Sequence, residues 1–124
     1  MSSWLFDPTL QGLAQALTLH QRRHEVIAGN VANVDTPRFR ARDLDFRTAL
    51  KEAFTDAERN AAPADPPAPV EDRDAPARAD GNTVDLDLQM AKLTANGTRY
   101  LALARLLAMR IGLVRTAING GGNG

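Results

Sequence analysis

Apolar residues near the two ends of the chain recur at alternating steps of three and four. The first series runs Leu10, Leu13, Leu17, His20, His24, Ile27, Val31, Val34, and the second runs Leu86, Met90, Leu93, Gly97, Tyr100, Ala104, Leu107, Ile111, Val114, Ile118. No member of the second series is charged. Spacing that averages about 3.5 residues draws a seam along one side of a helix, so each series predicts a long helix in want of a partner.

Local signals bound these helices. Asp7 is an N-cap candidate with Pro8 at the first helical position, where a missing N–H costs nothing, and helix one is predicted from about Pro8 to Ala32. Asn30 and Asn33 near its end tolerate left-handed backbone, and Pro37 pushes Thr36 out of the helical region. Val34 to Asp43 is therefore predicted as a turn followed by extended chain. Asp45 reads as the N-cap of a short helix to about Glu58, with Phe46, Leu50, Ala53 and Phe54 on one face.

The middle of the chain is made of different material. Ala61 to Asp80 holds seven alanines and five prolines among five acids and two arginines. Such a stretch cannot bury enough apolar area to offset its ordering entropy, which predicts a mobile linker. Gly81 and Asn82 then make a turn, Thr83 is placed to cap, and Asp85 and Asp87 sit in a first turn where the helix dipole favours negative charge. Helix two is predicted to continue to about Asn119.

The expected fold is all-α: long N- and C-terminal helices packed as a coiled-coil-like pair, a short middle helix, and an extended, disordered Pro/Ala-rich linker. The segments are residues 1–34 for the first helix, 35–60 for the turn, extended stretch and short helix, 61–82 for the linker, and 83–124 for the last helix and its Gly-rich tail. One feature argues against a self-contained hairpin. Leu101, Leu103, Leu106 and Leu113 lie off the seam, so helix two is apolar most of the way round. A helix of that kind is buried on most sides, and the other two helices cannot surround it. Other protein chains are expected to do so.

Composition narrows the function classes. The chain has 124 residues, no cysteine, 5% aromatics and a formal net charge of zero. It offers no disulfide, no thiolate site and no global field for nucleic acid or anionic membranes. Neutrality hides an uneven distribution, because Lys92, Arg99, Arg105, Arg110 and Arg115 come after Asp87 with no further acid. Met1 to Thr9 contains no base, and Gln11, Gln15 and His20 interrupt the apolar residues beyond it, so no cleavable export signal is read. The most apolar window, Tyr100 to Val114, is interrupted by Arg105 and Arg110 and falls short of the roughly 20 apolar residues of a spanning helix. The chain is expected not to span a membrane.

Few residues suggest chemistry. His20 and His24 are four apart, a spacing that presents two imidazoles on one helix face, but Glu25 comes directly after the second histidine rather than the first and no third ligand cluster is evident. Both are read as polar seam residues, with no metal and no cofactor. No serine motif accompanies them, so no catalytic residue is assigned. Asp80 to Asp87 fails the calcium-loop pattern, because its glycine comes at once after the first aspartate and no glutamate closes it. Asn96-Gly97-Thr98 fits a glycosylation acceptor, yet Gly97 on the seam reads better as a close helix approach. The arginines of helix two lack stacking aromatics, so nucleic acid is not an expected partner.

Past helix one the chain reads Asn30-Val31-Ala32-Asn33-Val34-Asp35-Thr36-Pro37, then Phe39 and Ala41-Arg42-Asp43-Leu44-Asp45-Phe46. Together with Asp80-Gly81-Asn82-Thr83-Val84-Asp85-Leu86-Asp87 and the later Asn96, Tyr100 and Gly120, these motifs resemble the rod and hook proteins of the bacterial flagellum, and among them the FlgB-type proximal rod subunits. The signature residues on which the resemblance rests are Asn30, Ala32, Asn33, Asp35, Thr36, Pro37, Phe39, Asp43, Phe46, Gly81, Asn82 and Asn96. Arg38 stands where the family commonly carries glycine. The likeness covers both ends of the chain and leaves out the linker.

The resemblance implies a structural subunit of the proximal rod of the basal body, with no enzymatic activity. It would be exported through the flagellar type III apparatus without a cleaved signal and would pack its terminal helices into a helical assembly in the periplasm. Implied partners are other copies, the other rod proteins, the membrane-ring junction protein and the export gate. The seam and its surround supply the expected subunit interface: Leu13, Leu17, Ile27, Val31, Leu93, Tyr100, Leu107, Ile111, Val114 and Ile118. The residues alone leave room for a second class, a soluble helical-hairpin adaptor or regulatory protein.

Overall fold

The computed structural model describes residues 7–122. In chain order it contains α1 (Pro8–Ala32), β1 (Arg42–Asp43), α2 (Phe46–Glu58), β2 (Val70–Glu71) and α3 (Leu86–Gly122). The architecture is mostly helical, with long helices at both ends as the periodicity predicts. A two-residue antiparallel pairing, Arg42 with Glu71 and Asp43 with Val70, is an addition to the all-α expectation.

The start of α1 obeys its sequence signals, since Asp7 accepts a hydrogen bond from the Thr9 N–H at 3.0 Å and Pro8 opens the helix. Its end does not use left-handed asparagine. Asn33 keeps φ −103°, and its N–H and side-chain amide both donate back to the Gly29 carbonyl, the latter at 2.8 Å. The left-handed residue of this turn is Arg38, at φ 64°.

Asp45 precedes α2 but makes no side-chain cap bond. Asn60, at φ 54°, closes the other end: its N–H reaches the Ala57 carbonyl at 3.1 Å and the Ala61 N–H reaches that of Asp56 at 2.8 Å. That pair of bonds is the left-handed stop in which the last free carbonyls of a helix find donors. The cap of α3 is Asp85, which accepts from the Leu88 N–H at 3.1 Å, rather than Thr83. Thr83 instead receives the Ala41 N–H on its hydroxyl at 2.8 Å.

α1 is the centre of the fold. α2 packs on one flank through Ala16, Leu19, Ala49 and Ala57, all buried, and Gly12 lets the Phe54 ring lie directly on the α1 backbone. α3 runs antiparallel on the other flank, since the pairs Asp7 with Arg110, His20 with Asn96 and Asn30 with Gln89 descend one helix as they climb the other.

The stripe of α3 that faces α1 differs from the apolar seam. Gln89 and Asn96 are buried while Leu86 and Met90 are 43% and 48% exposed, so the contact line runs Gln89, Leu93, Asn96, Tyr100, Leu103, Leu107, Val114. A hydropathy series skips Gln89 and Asn96 because they are polar; hydrogen bonds to α1 make them the buried members. Gly97 meets no close neighbour, since a Cβ built there would have nothing within 4 Å, so it is not a point of close helix approach.

Composition predicts a mobile linker over residues 61–80, and the structure gives the second half of this stretch specific partners. Besides the β2 pairing, the Asp72 N–H donates to the Ala41 carbonyl at 2.9 Å, the Arg38 N–H to that of Asp80 at 2.9 Å, and the Thr83 N–H to that of Phe39 at 3.0 Å. These are backbone bonds, which composition does not encode.

Candidate functional site: a polar clasp beside an uncovered helix

Three buried asparagines tie the two ends of the chain together. Asn96 on α3 donates its amide to the His20 carbonyl at 2.8 Å, which fixes its Oδ1 toward the imidazole Nδ1 at 2.7 Å. Because an amide oxygen only accepts, the ring carries its proton on Nδ1. Asn30 on α1 donates to the Arg42 carbonyl at 2.7 Å and to Gln89 Oε1 at 3.0 Å, and it accepts from the Arg42 N–H at 3.0 Å. Asn82 donates to three carbonyls, of Asn33 at 2.9 Å, Val34 at 3.1 Å and Thr36 at 2.8 Å, while its Oδ1 accepts from the Val84 N–H at 2.7 Å. Asn82 thus satisfies carbonyls that the end of α1 and its turn leave without intrahelical donors.

Charge closes the same junction. Asp43 accepts two bonds from Arg23, each 3.0 Å, with Lys92 of α3 at 3.3 Å and the Leu44 N–H at 2.7 Å. Burial would raise the Asp43 carboxyl, but the Arg23 and Leu44 bonds and the charges of Arg23 and Lys92 hold it below its ordinary value. Burial pushes the His20 imidazole down, against the raising effect of the Asn96 bond, and the charges of Arg23 and Arg99 add to the lowering. Phe46 lies against His20 and Arg23: its ring centroid is 4.3 Å from that of His20, and the Arg23 guanidinium carbon lies 5.4 Å from it. Every buried side-chain nitrogen or oxygen among the described residues has a partner.

Most signature residues therefore meet in one place. Asn30, Asn33, Thr36, Asp43, Phe46, Gly81, Asn82 and Asn96 belong to the clasp or its turn, with the Thr36 hydroxyl donating to Asn33 Oδ1 at 3.0 Å and Gly81 at φ 81°. Phe39 is half-buried, and Ala32, Asp35 and Pro37 remain exposed. Sequence reasoning missed Arg23, Gln89 and Lys92. Gln89 and Asn96 are seven apart, the spacing of one repeating seam position, and that was the available signal.

The expected subunit-interface residues divide. Ile27 is fully buried inside the chain and has nothing left to offer a neighbour. Leu13, Leu17, Val31, Leu93, Tyr100, Leu107 and Val114 are half-buried, whereas Ile111 and Ile118 are exposed. An uncovered apolar surface lies on the opposite side of α3, where Leu101, Leu106, Met109 and Leu113 are 51–67% exposed. The histidine pair also divides, with His20 buried in the clasp and His24 exposed. No group of three or more metal-ligating side chains occurs among the described residues.

A junction of asparagine side chains on backbone carbonyls holds a shape. Residues 10–40 match the family described as flagella basal body rod protein. The chain is 30% identical to the flagellar basal body rod protein FlgB of Bacillus subtilis, over 94% of its own length and 98% of the relative's. It is 33% identical to FlgB of Escherichia coli over 92% and 96%, and 36% identical to FlgB of Cereibacter sphaeroides over 86% and 91%.

The chain belongs to the FlgB family. It is a structural subunit of the flagellar basal body rod. In this rod subunit the clasp is a fixed joint: its asparagines bind the turn after α1 to the start of α3. No helix among the described residues is long and apolar enough to cross a membrane.

Proposed function

We propose that this FlgB-family chain forms the proximal part of the rod by coupled folding and helical assembly, without substrate or cofactor. One observation carries the reading: beside a fully satisfied polar clasp, α3 leaves Leu101, Leu106, Met109 and Leu113 open to water. A contiguous apolar stripe of this kind marks a surface built for another protein. Contacts that repeat head to tail without closing into a ring generate a helix, the symmetry of a tubular rod.

In this reading the α1–α3 pair deepens into coiled-coil packing once neighbours surround it. Leu13, Leu17, Val31, Leu93, Tyr100, Leu107, Ile111, Val114 and Ile118 supply the half-covered faces that neighbours complete. Residues 1–34 and 83–124 are the axial helices, 35–60 the signature unit, and 61–82 a linker. The subunit reaches the periplasm through the type III export path without a cleaved signal. There it meets the other rod proteins, the membrane-ring junction protein and the export gate.

The test is the full-length chain carrying Leu106→Asp, on the exposed face of α3, in a flagellated host lacking its own copy. Loss of the subunit from isolated basal bodies with export preserved is the expected result. Normal incorporation and motility would overturn the reading.

A further inference from the structure

A second surface of the molecule complements the bare face of α3. Alongside the α1–α2 contact, residues of both helices from Gln11 to Leu19 and from Ala49 to Ala57 form two walls, and the chain returning from α2 through Ala61 to Pro67 forms the third. The result is an open groove of about 770 Å³. Its floor is apolar and small, with Ala14, Ala49 and Ala53. Its charged groups are Glu52, Asp56 and Asp65, and no Lys, Arg or His lines it. Glu52 and Asp56 are one helical turn apart on α2 and place two carboxylates along one edge.

α3 carries the opposite pattern. Leu101, Arg105, Met109 and Leu113 occur at four-residue intervals along its outer face, and Leu106 lies beside them. Arg99, Arg105 and Arg115 are exposed and make no ion pair among the described residues, whereas Arg110 is held by Asp7. A floor of alanines accepts bulky leucine and methionine side chains without clash, and an acidic edge suits an arginine-flanked helix. The two patches lie on different elements of one chain, so each copy has one of each.

We infer that the α1–α2 groove of one copy receives the outer face of α3, from Leu101 to Leu113, of a second copy, with Glu52 and Asp56 meeting its arginines. This rests on the rod reading above and deepens it by naming which two surfaces join. The contact is heterologous: groove to helix, leaving the other groove and the other helix free at each end. Such a joint propagates instead of closing a dimer. Charge complementarity selects the partner and suppresses wrong ones.

The chain has no cysteine, so single introduced cysteines report the contact cleanly. Cells co-express two full-length versions, Ala53→Cys and Met109→Cys, and their basal bodies are isolated under mild oxidation. A disulfide-linked pair between the two versions, with neither version linked to itself, is the expected result. Adding Glu52→Arg and Asp56→Arg to the Ala53→Cys version lowers the linked fraction by at least about tenfold, because like charges then face each other. Arg105→Glu on the Met109→Cys version restores part of it. Both versions present in basal bodies of motile cells without a cross-link would overturn the groove contact and leave the rod reading standing. Absence of the wild-type chain from basal bodies would overturn both.

Discussion

Asn96 holds His20 from two directions at once, donating to its carbonyl at 2.8 Å and accepting from its ring at 2.7 Å. One side chain of α3 thereby fixes both the backbone and the side chain of a residue 76 positions earlier. Asn96→Ala leaves the His20 ring N–H without a partner in a buried place, while the His20 carbonyl keeps its intrahelical donor. An orphaned buried group costs about 1–3 kcal/mol, and a loss of that size is expected in urea denaturation of the purified chain. Thr98→Ala, on the exposed side of the same turn, shifts stability by less than about 0.5 kcal/mol. Equal effects would contradict the clasp.

The same pair makes stability depend on pH. The folded imidazole titrates below its ordinary value because it is buried, with Arg23 and Arg99 as the charges acting on it. The unfolded chain therefore takes up the proton first. Stability is complete above about 6.5 and declines as pH falls from there through the folded value. His20→Gln removes this decline at pH values above the carboxylate range. Melting curves of both proteins across that window decide the point.

Two glycines of α1 have opposite roles. A methyl at Gly12 would strike the Phe54 ring, whereas one at Gly29 would meet nothing within 4 Å. Gly12→Ala is expected to destabilise by about 1–3 kcal/mol through forced displacement of α2. Gly29→Ala is expected to stabilise by about 0.5–1 kcal/mol, since alanine loses less freedom in a helix. Thermal denaturation of the two variants under identical conditions measures the contrast.

Arg38 adopts φ 64°, a left-handed conformation that strains a residue with a side chain. Arg38→Gly relieves the strain, offset in part by the greater freedom of an unfolded glycine, for a net gain of about 0.5–1 kcal/mol. A destabilised Arg38→Gly protein would mean that the side chain holds the turn.

Leu113 is 67% exposed and faces away from α1. Leu113→Asp should leave the circular dichroism of the purified chain unchanged and yet remove the subunit from basal bodies. A variant that assembles normally would show that this face stays bare in the rod.

Helix positions were readable in the sequence because their signals are local: Asp7 with Pro8 opens α1, and the apolar steps carry α3 to its end. The clasp was only half readable. Its signature residues were visible as a family pattern, but Asn30 finds Gln89 across 59 positions and Asn82 finds Asn33 across 49. A polar residue within an amphipathic helix carries no mark of a distant partner, so Gln89 read as a gap in the seam. The Asn60 stop and the β1–β2 pairing escaped for a related reason. Left-handed asparagine is common to many helix ends, as the unused candidate Asn33 shows, and two-residue strands have no periodicity to detect.

Apolar stripes alone tolerate sliding, because one leucine replaces another a turn further along. The asparagine and glutamine contacts do not. Moving α3 one turn along α1 would strand Asn30, Gln89, Asn96 and Asp43 together in a place where each lost partner is costly. The clasp therefore acts as a ruler: it fixes where along α1 each residue of α3 sits, with Arg110 opposite Asp7. A handful of amide side chains thereby gives this rod subunit one fixed register.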